Sequence, residues 1–550
     1  MNIGRKIIDT RKYLQGEASD GYKFFGNHKI DKNSYIFRTF APNAKNLYVV
    51  GDFNGWREEK LRKYSTGIFS KTIKNVKEFD KYLYVIEDMN GKKSYKLDPF
   101  AKISDDKNSL VFDKTYKFSY KIKENRNLNI YEMKFDKEVF EDEKKIVEFI
   151  KYLKENNFTH FKAMMIFSNY FQSMGRDIRK SFFSVNKNLV DLEKLKKFID
   201  FLHKNNIGII FDIDISGFSP CDKGLIKFDG SNIYNYNYDY DDILYSYNGM
   251  VNFDPSKYIV KSYVLSFITY LIDEFNIDGI SLENLENLIF WQGDKSRGYN
   301  EFWIEFISII NSHIKSFKRL SLGSYNSIWK EDLNLDLGFS YIYDRSLDKI
   351  IKIMQKYPIE RDRYSYIVKN LIENDYKNFL LGFNYFDSLS EGASLAMKIN
   401  SDDKKYQQLK TLFLLVYSLN SKKILFMEDE FGSLETYYSD KKINFKIRNN
   451  QEDDFNKFYK KISKFYKENK ELYKNDAITK IIEIEGYSLY AFKRMYKNNG
   501  FLVVINLTDL DYNINFSKKT ETILTSFKEI STKNNNLFIP AFGSGIFKIK

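Results

Sequence analysis

Between residues 127 and 460, short apolar runs alternate with segments whose apolar residues recur at helical spacing, and this alternation constrains the fold more than any other feature. NIYEMKF (129–135) reads as a strand, EDEKKIVEFIKYLKENN as a helix, FTHFKAMMI (158–166) as a strand and DLEKLKKFIDFLHKNN as a helix. The strands IGIIFDIDI and IDGISLE follow, then RLSLGS, LGFSYIY, NFLLGFNYF and KKILFMEDE. Eight apolar strands alternating with helices predict a (β/α)₈ TIM barrel over 127–460. A long loop rich in Asn, Tyr and Asp follows the third strand.

The flanks have another character. Residues 1–26 read as a helical lead-in, and 27–119 as short alternating strands separated by the turn signals PNA, NG and NGK, hence a β-sandwich. Residues 461–474 are expected to be a connecting helix. Residues 475–550 return to short strands (SLYAFKR, GFLVVINLT, NLFIPAFGSGIFKIK) and predict a C-terminal all-β sandwich. The fold class is therefore multi-domain α/β, and no low-complexity linker separates the parts.

Charge narrows the function classes. The net charge of +13 permits nucleic-acid or membrane contact, but Lys and Arg are interleaved with Asp and Glu throughout, and no nucleic-acid-binding motif is present. Neither nucleic acid nor membrane is an expected partner. Cys221 is the only cysteine and the four histidines show no ligand spacing, so no disulfide, metal or cofactor is expected. MNIGRKIIDTRKYL lacks an apolar leader core, and a cytoplasmic location is expected. Aromatics reach 17%. They rise together with Lys, Asn and Ile, as AT-rich coding sequence produces, so their abundance alone does not indicate sugar stacking.

Particular residues do point to sugar. APNAKNLYVVGDFNGW (41–56) and YKLDPFA (95–101) resemble the start and end of the glycogen-binding module that precedes the barrel in 1,4-α-glucan branching enzymes of the α-amylase superfamily. YLQGEASDGYKFFGNH (13–28) resembles that family's lead-in, NIYEMKF and FTHFKAMMI its first two barrel strands, CDKGLIKFDGSNIY (221–234) its loop after strand three, and KKILFMEDEFG (422–432) its eighth strand. The resemblance covers nearly the whole chain in order. It implies an α-glucan or glycogen ligand, and it marks Trp56 and Tyr95 as carbohydrate-stacking positions.

The resemblance also implies a catalytic set, and here the chain departs from it. Retaining enzymes need a nucleophilic carboxylate and a general acid/base close together. Where the family has an Arg and, two residues on, its Asp nucleophile, this chain has Ser281 and Glu283. At the acid/base Glu stands Gly323, or Ser324 with a one-residue slip. The His-Asp pair after strand seven is replaced by Tyr385 and Phe386. After strand three Asp212 is retained, but Gly217 replaces a His, and Arg176 falls where a Tyr floors the sugar subsite. Since no histidine lies near the end of strand three or seven, sliding the alignment does not restore the lost pair.

Other rim acids are Asp214, Glu286, Asp387 and Glu391, with Asp387 the best-placed substitute acid. Trp291 and Trp329 are expected at the cleft edge and Trp303 in packing. The sequence therefore predicts a branching-enzyme homologue that has become a pseudoenzyme and binds α-glucan or another glycogen-metabolism enzyme. The alternatives are an active branching transferase or hydrolase with relocated carboxylates, and a non-catalytic interaction scaffold.

Overall fold

A computed structural model describes residues 9–105, 107–123, 127–164, 170–171, 176–177, 182–188, 190–237, 245, 249–325, 336–374, 376–389, 392–401, 403–436, 445–484, 488–515, 520–533 and 536–549. Eight parallel strands close into a barrel: β1 (Asn129–Lys134), β2 (His160–Met164), β3 (Gly208–Ile213), β4 (Gly279–Leu282), β5 (Leu320–Gly323), β6 (Tyr341–Tyr343), β7 (Phe379–Phe383) and β8 (Lys422–Phe426). β8 pairs with β1, Lys423 opposite Asn129, so no strand edge is left open. Successive residues of a strand face opposite sides. Ile130, Ile210, Leu322, Tyr343, Leu380 and Ile424 therefore meet inside the barrel as an apolar plug, which Leu128 joins. Glu132 and Asp212 follow Ile130 and Ile210 by one strand period on the same inward face.

The N-terminal sandwich has one sheet of strands 26–29, 34–40, 68–74 and 62–63, facing a second built around 81–87. That second sheet is not self-contained. Val185–Asn186, from the barrel segment after β2, pairs in parallel with Ile103–Ser104 and becomes its outer strand. The lead-in grips the barrel helix Tyr258–Phe275: Ser262 Oγ donates to the Tyr13 carbonyl (2.7 Å), and the Gly21 N–H donates to Ser266 Oγ (3.0 Å). Lys102 of the sandwich lies 3.2 Å from Asp113 and 3.9 Å from the barrel's Glu274, which Lys196 also meets at 2.7 Å. This ionic network is almost fully buried, so sandwich and barrel share one interior.

Two boundaries differ from the sequence expectation. The run NFLLGFNYF stops being a strand at Phe383, and Tyr385–Leu389 is helical because Asn384 Oδ1 accepts from the Phe386 and Asp387 N–H groups and caps a new turn. A single helix, Asn450–Glu468, runs through position 460, where barrel and connector were expected to divide. Its amphipathic face (Phe455, Tyr459, Ile462, Tyr466) is buried. The C-terminal region is a five-stranded sheet opposite a three-stranded one. Among the described residues, no helix is long and apolar enough to cross a membrane.

Candidate functional site at the barrel mouth

The C-terminal ends of β1, β2 and β4 bring three charges together. Lys162 of β2 stands beside Glu132 of β1 in register, and its Nζ lies 2.7 Å from Glu132 Oε1. The same Nζ lies 2.7 Å from Glu283 Oε1, just beyond β4. Ser281 Oγ donates to that Glu283 oxygen at 2.6 Å, and the Tyr385 N–H donates to Glu132 Oε2 at 2.6 Å. The Glu283 N–H extends the β3–β4 ladder by donating to the Ile213 carbonyl (2.9 Å), so its backbone is fixed. The Glu283 side chain is 13% exposed and that of Lys162 only 4%.

Burial by itself would push the Lys162 ammonium down. The nearby carboxylates of Glu132, Glu283 and Asp212 outweigh it and hold the group well above the usual lysine range. Lys162 is therefore a permanent cation. A general acid needs a pKa near the working pH, and this ammonium does not meet that requirement.

The Glu132 and Glu283 oxygens that share Lys162 lie at most twice 2.7 Å apart. This upper limit falls within the roughly 5–5.5 Å of a retaining glycosidase pair. The space between them holds an ammonium, where such a pair would hold the anomeric carbon.

The other expected positions are filled by packing. A Cβ on Gly323 would come 2.7 Å from Leu285 Cδ1 and 3.1 Å from the Phe339 ring. Ser324 is buried and its hydroxyl has no hydrogen-bond partner among the described residues. Gly217 lies in a two-residue strand paired with Val251–Asn252, and a Cβ there would stand 2.5 Å from the Val251 carbonyl oxygen. A histidine at 217 would therefore require the backbone to move. The Tyr385 ring lies against Phe386 and Phe426, with centroids 5.3 and 5.5 Å away.

Asp387 is 1% exposed. It accepts from the Tyr343 O–H and the Asn384 N–H and lies 3.8 Å from Arg345, which pairs with Asp348 at 2.6 Å. Burial, reinforced by the facing Asp348 carboxyl, pushes it far above the usual carboxylate range, against the pull of the Tyr343 O–H and the Asn384 N–H. Asp214 accepts from Ser216 and from Asn284 Nδ2. Glu286 is buried on the short helix after β4. The side chain of Arg176, and Trp329 and Glu391 entirely, lie outside the described residues.

In the sandwich, Trp56 is 42% exposed, with its Nε1–H held by Asp52 Oδ1 at 3.0 Å, and Tyr95 is 52% exposed on the strand Lys93–Lys96. Trp291 is half-buried with its ring 5.8 Å from that of Tyr236, and Trp303 is buried against Phe306.

Residues 24–101 match carbohydrate-binding module 48 (isoamylase N-terminal domain). A 1,4-α-glucan branching enzyme of Clostridium perfringens is 28% identical over 485 residues, 78% of this chain and 72% of that protein. One from Fusobacterium nucleatum is 28% identical, with 82% of this chain and 78% of that protein covered. A pullulanase from Anoxybacillus, solved with maltotetraose, superposes with a TM-score of 0.77 at 14% identity, covering 98% of this chain and 89% of that one. The chain therefore shares its multidomain fold with that pullulanase.

At this barrel mouth, sequence reasoning singled out Glu283 and Ser281 but missed Glu132 and Lys162. A signal was available. Both are charged residues inside otherwise apolar strands, NIYEMKF and FTHFKAMMI, and buried charges are kept only when paired. Pairing the two would have required the β1–β2 register, which no local pattern supplies.

Proposed function

We propose that this chain is an α-glucan-binding homologue of branching enzymes whose barrel no longer transfers glucosyl units, working in glycogen metabolism in the cytoplasm. The observation that carries this reading is Lys162 lodged between Glu132 and Glu283. A nucleophile must present a free carboxylate lone pair to the anomeric carbon, and its partner must deliver a proton. Glu283 Oε1 is taken up by Lys162 and Ser281, and Glu132 is held by Lys162 and the Tyr385 N–H. Packing at Gly217 supports the same reading, since a side chain there would meet the Val251 carbonyl. Binding is supported by the module match over 24–101 and by the exposed Trp56 and Tyr95 within it. The partner is then α-glucan itself, with a second glycogen-metabolism enzyme as a further candidate.

One observation favours a second reading, an active enzyme using Glu132 with Glu283: their Lys162-bound oxygens stand no farther apart than the carboxyl groups of a retaining pair. Catalysis would then require Lys162 to swing out when sugar enters.

The deciding experiment incubates purified protein with amylose and follows iodine-complex absorbance, reducing ends and new α-1,6 branch points, with glycogen co-sedimentation in parallel. The expected result is no turnover, with co-sedimentation that is lost in Trp56→Ala. New branches or reducing ends that vanish in Glu283→Gln would establish the second reading. Neither turnover nor binding would leave an interaction scaffold.

A further inference from the structure

The run GDFNGW (51–56) leaves the strand Asn46–Gly51 and ends on Trp56, whose backbone has a φ of +61°. A bulky side chain is seldom found in that left-handed region. The turn holds it there with its own polar groups. Asn54 Oδ1 accepts from the Gly51 N–H at 2.9 Å, and Asn54 Nδ2 donates to the Val49 carbonyl at 3.1 Å. The Trp56 N–H itself donates to the Gly51 carbonyl at 2.9 Å. Gly55, with a φ of +60°, makes the step before it, as a residue without a Cβ can. Strained backbone persists only where its surroundings over-determine it, and it gathers at ligand-binding positions.

Asp52 then controls the ring as well as the turn. Gly51 and Tyr82 are the last residues in register between the strands Asn46–Gly51 and Lys81–Glu87. The next N–H, that of Lys81, donates to Asp52 Oδ2 at 2.9 Å, and Asp52 Oδ1 accepts from Trp56 Nε1–H at 3.0 Å. One carboxylate therefore ties the indole to the end of a strand whose middle is buried. The indole N–H lies at the ring edge, so this hydrogen bond fixes the ring plane without occupying the flat faces on which a sugar stacks.

We infer that Asp52 is a positioning residue for α-glucan binding: it immobilises the Trp56 indole before sugar arrives, so that binding does not have to order the ring. The inference rests on the reading of the module as an α-glucan site. Ordering a free side chain on binding weakens affinity by about two- to tenfold.

Calorimetric titration of the full chain with maltoheptaose tests this through a double-mutant cycle. Asp52→Ala should raise the Kd by about two- to tenfold. Trp56→Phe keeps an aromatic face and lacks the N–H, so adding Asp52→Ala in that background should raise the Kd no further. The fluorescence anisotropy decay of Trp56, taken as the difference between each protein and its Trp56→Phe counterpart, should show a ring that tumbles with the whole chain in the parent and gains fast local motion in Asp52→Ala. An unchanged Kd in Asp52→Ala overturns the inference. An equal loss in the Trp56→Phe background overturns it too, because Asp52 would then act only through the turn and the Lys81 N–H. So does an indole that stays as immobile without Asp52. A parent protein that binds neither maltoheptaose nor glycogen sinks the reading of the module instead, while the anisotropy still shows whether Asp52 holds the ring.

Discussion

Replacing Lys162 with Met tests the arrangement at the barrel mouth directly. Methionine keeps most of the side-chain volume and removes the charge. Each 2.7 Å ammonium–carboxylate contact is worth about 6 kcal/mol in gross Coulomb terms at an effective dielectric of about 20. Desolvation of three buried ions offsets most of this. What the variant leaves is two carboxylates at most twice that distance apart, repelling by at least about 3 kcal/mol at the same dielectric, with Asp212 adding to the negative charge. The expected net cost is therefore about 3–5 kcal/mol near pH 8, the range for a buried pair that has lost one partner.

The pH dependence has a definite sign. In the native protein the raised Lys162 pKa makes its contribution constant at every pH below the ordinary lysine value of 10.5. In the variant the two crowded carboxylates repel only when both are ionised. Protonating either one relieves the repulsion, so the penalty grows as pH rises. The deficit should shrink between pH 8 and pH 5. Denaturant unfolding at both pH values measures it, and Lys162→Met combined with Glu132→Gln and Glu283→Gln should recover most of the loss. A deficit under about 1 kcal/mol, or one equal at pH 5 and pH 8, would refute the claim that Lys162 neutralises these carboxylates.

Three further outcomes are expected. Trp56→Ala should reduce glycogen co-sedimentation by about tenfold or more, in line with an aromatic hot spot, while its melting temperature stays close to that of the parent because the ring is exposed; unchanged co-sedimentation would remove Trp56 from the binding face. Gly217→His should destabilise by about 1–3 kcal/mol through overpacking, since its Cβ would meet the Val251 carbonyl; a variant that melts like the parent would mean that the loop after β3 still has room for that side chain. The buried carboxyl of Asp98 is raised to about 6 chiefly by burial, against the opposing pull of the Phe100 N–H and the Tyr82 and Tyr84 hydroxyls. Its folded pKa exceeds its unfolded one, so it costs nothing below pH 3.8 and withdraws stability as pH climbs through 6, by about 3 kcal/mol in all; Asp98→Asn should flatten the pH 4–7 stability profile, and a profile identical to the parent's would contradict this.

The sequence by itself determined the order and type of the elements, because apolar periodicity is local and each strand of the barrel has a short run of its own. It also determined that no histidine stands at the ends of β3 and β7, a matter of composition that folding cannot alter. It pointed to Glu283, since a charge that ends an apolar strand stands at the barrel rim. It did not bring Lys162 to that carboxylate. Glu132, Lys162 and Glu283 are far apart in the chain and meet only because the closed sheet sets β1, β2 and β4 in a particular register. The same holds for Val185–Asn186, which no local signal would assign to the sandwich, and for Asp387, whose raised pKa follows from its burial against Asp348. Hydrogen-bond register and burial depend on the whole chain, so the charge state and availability of each carboxylate were decided by the tertiary structure.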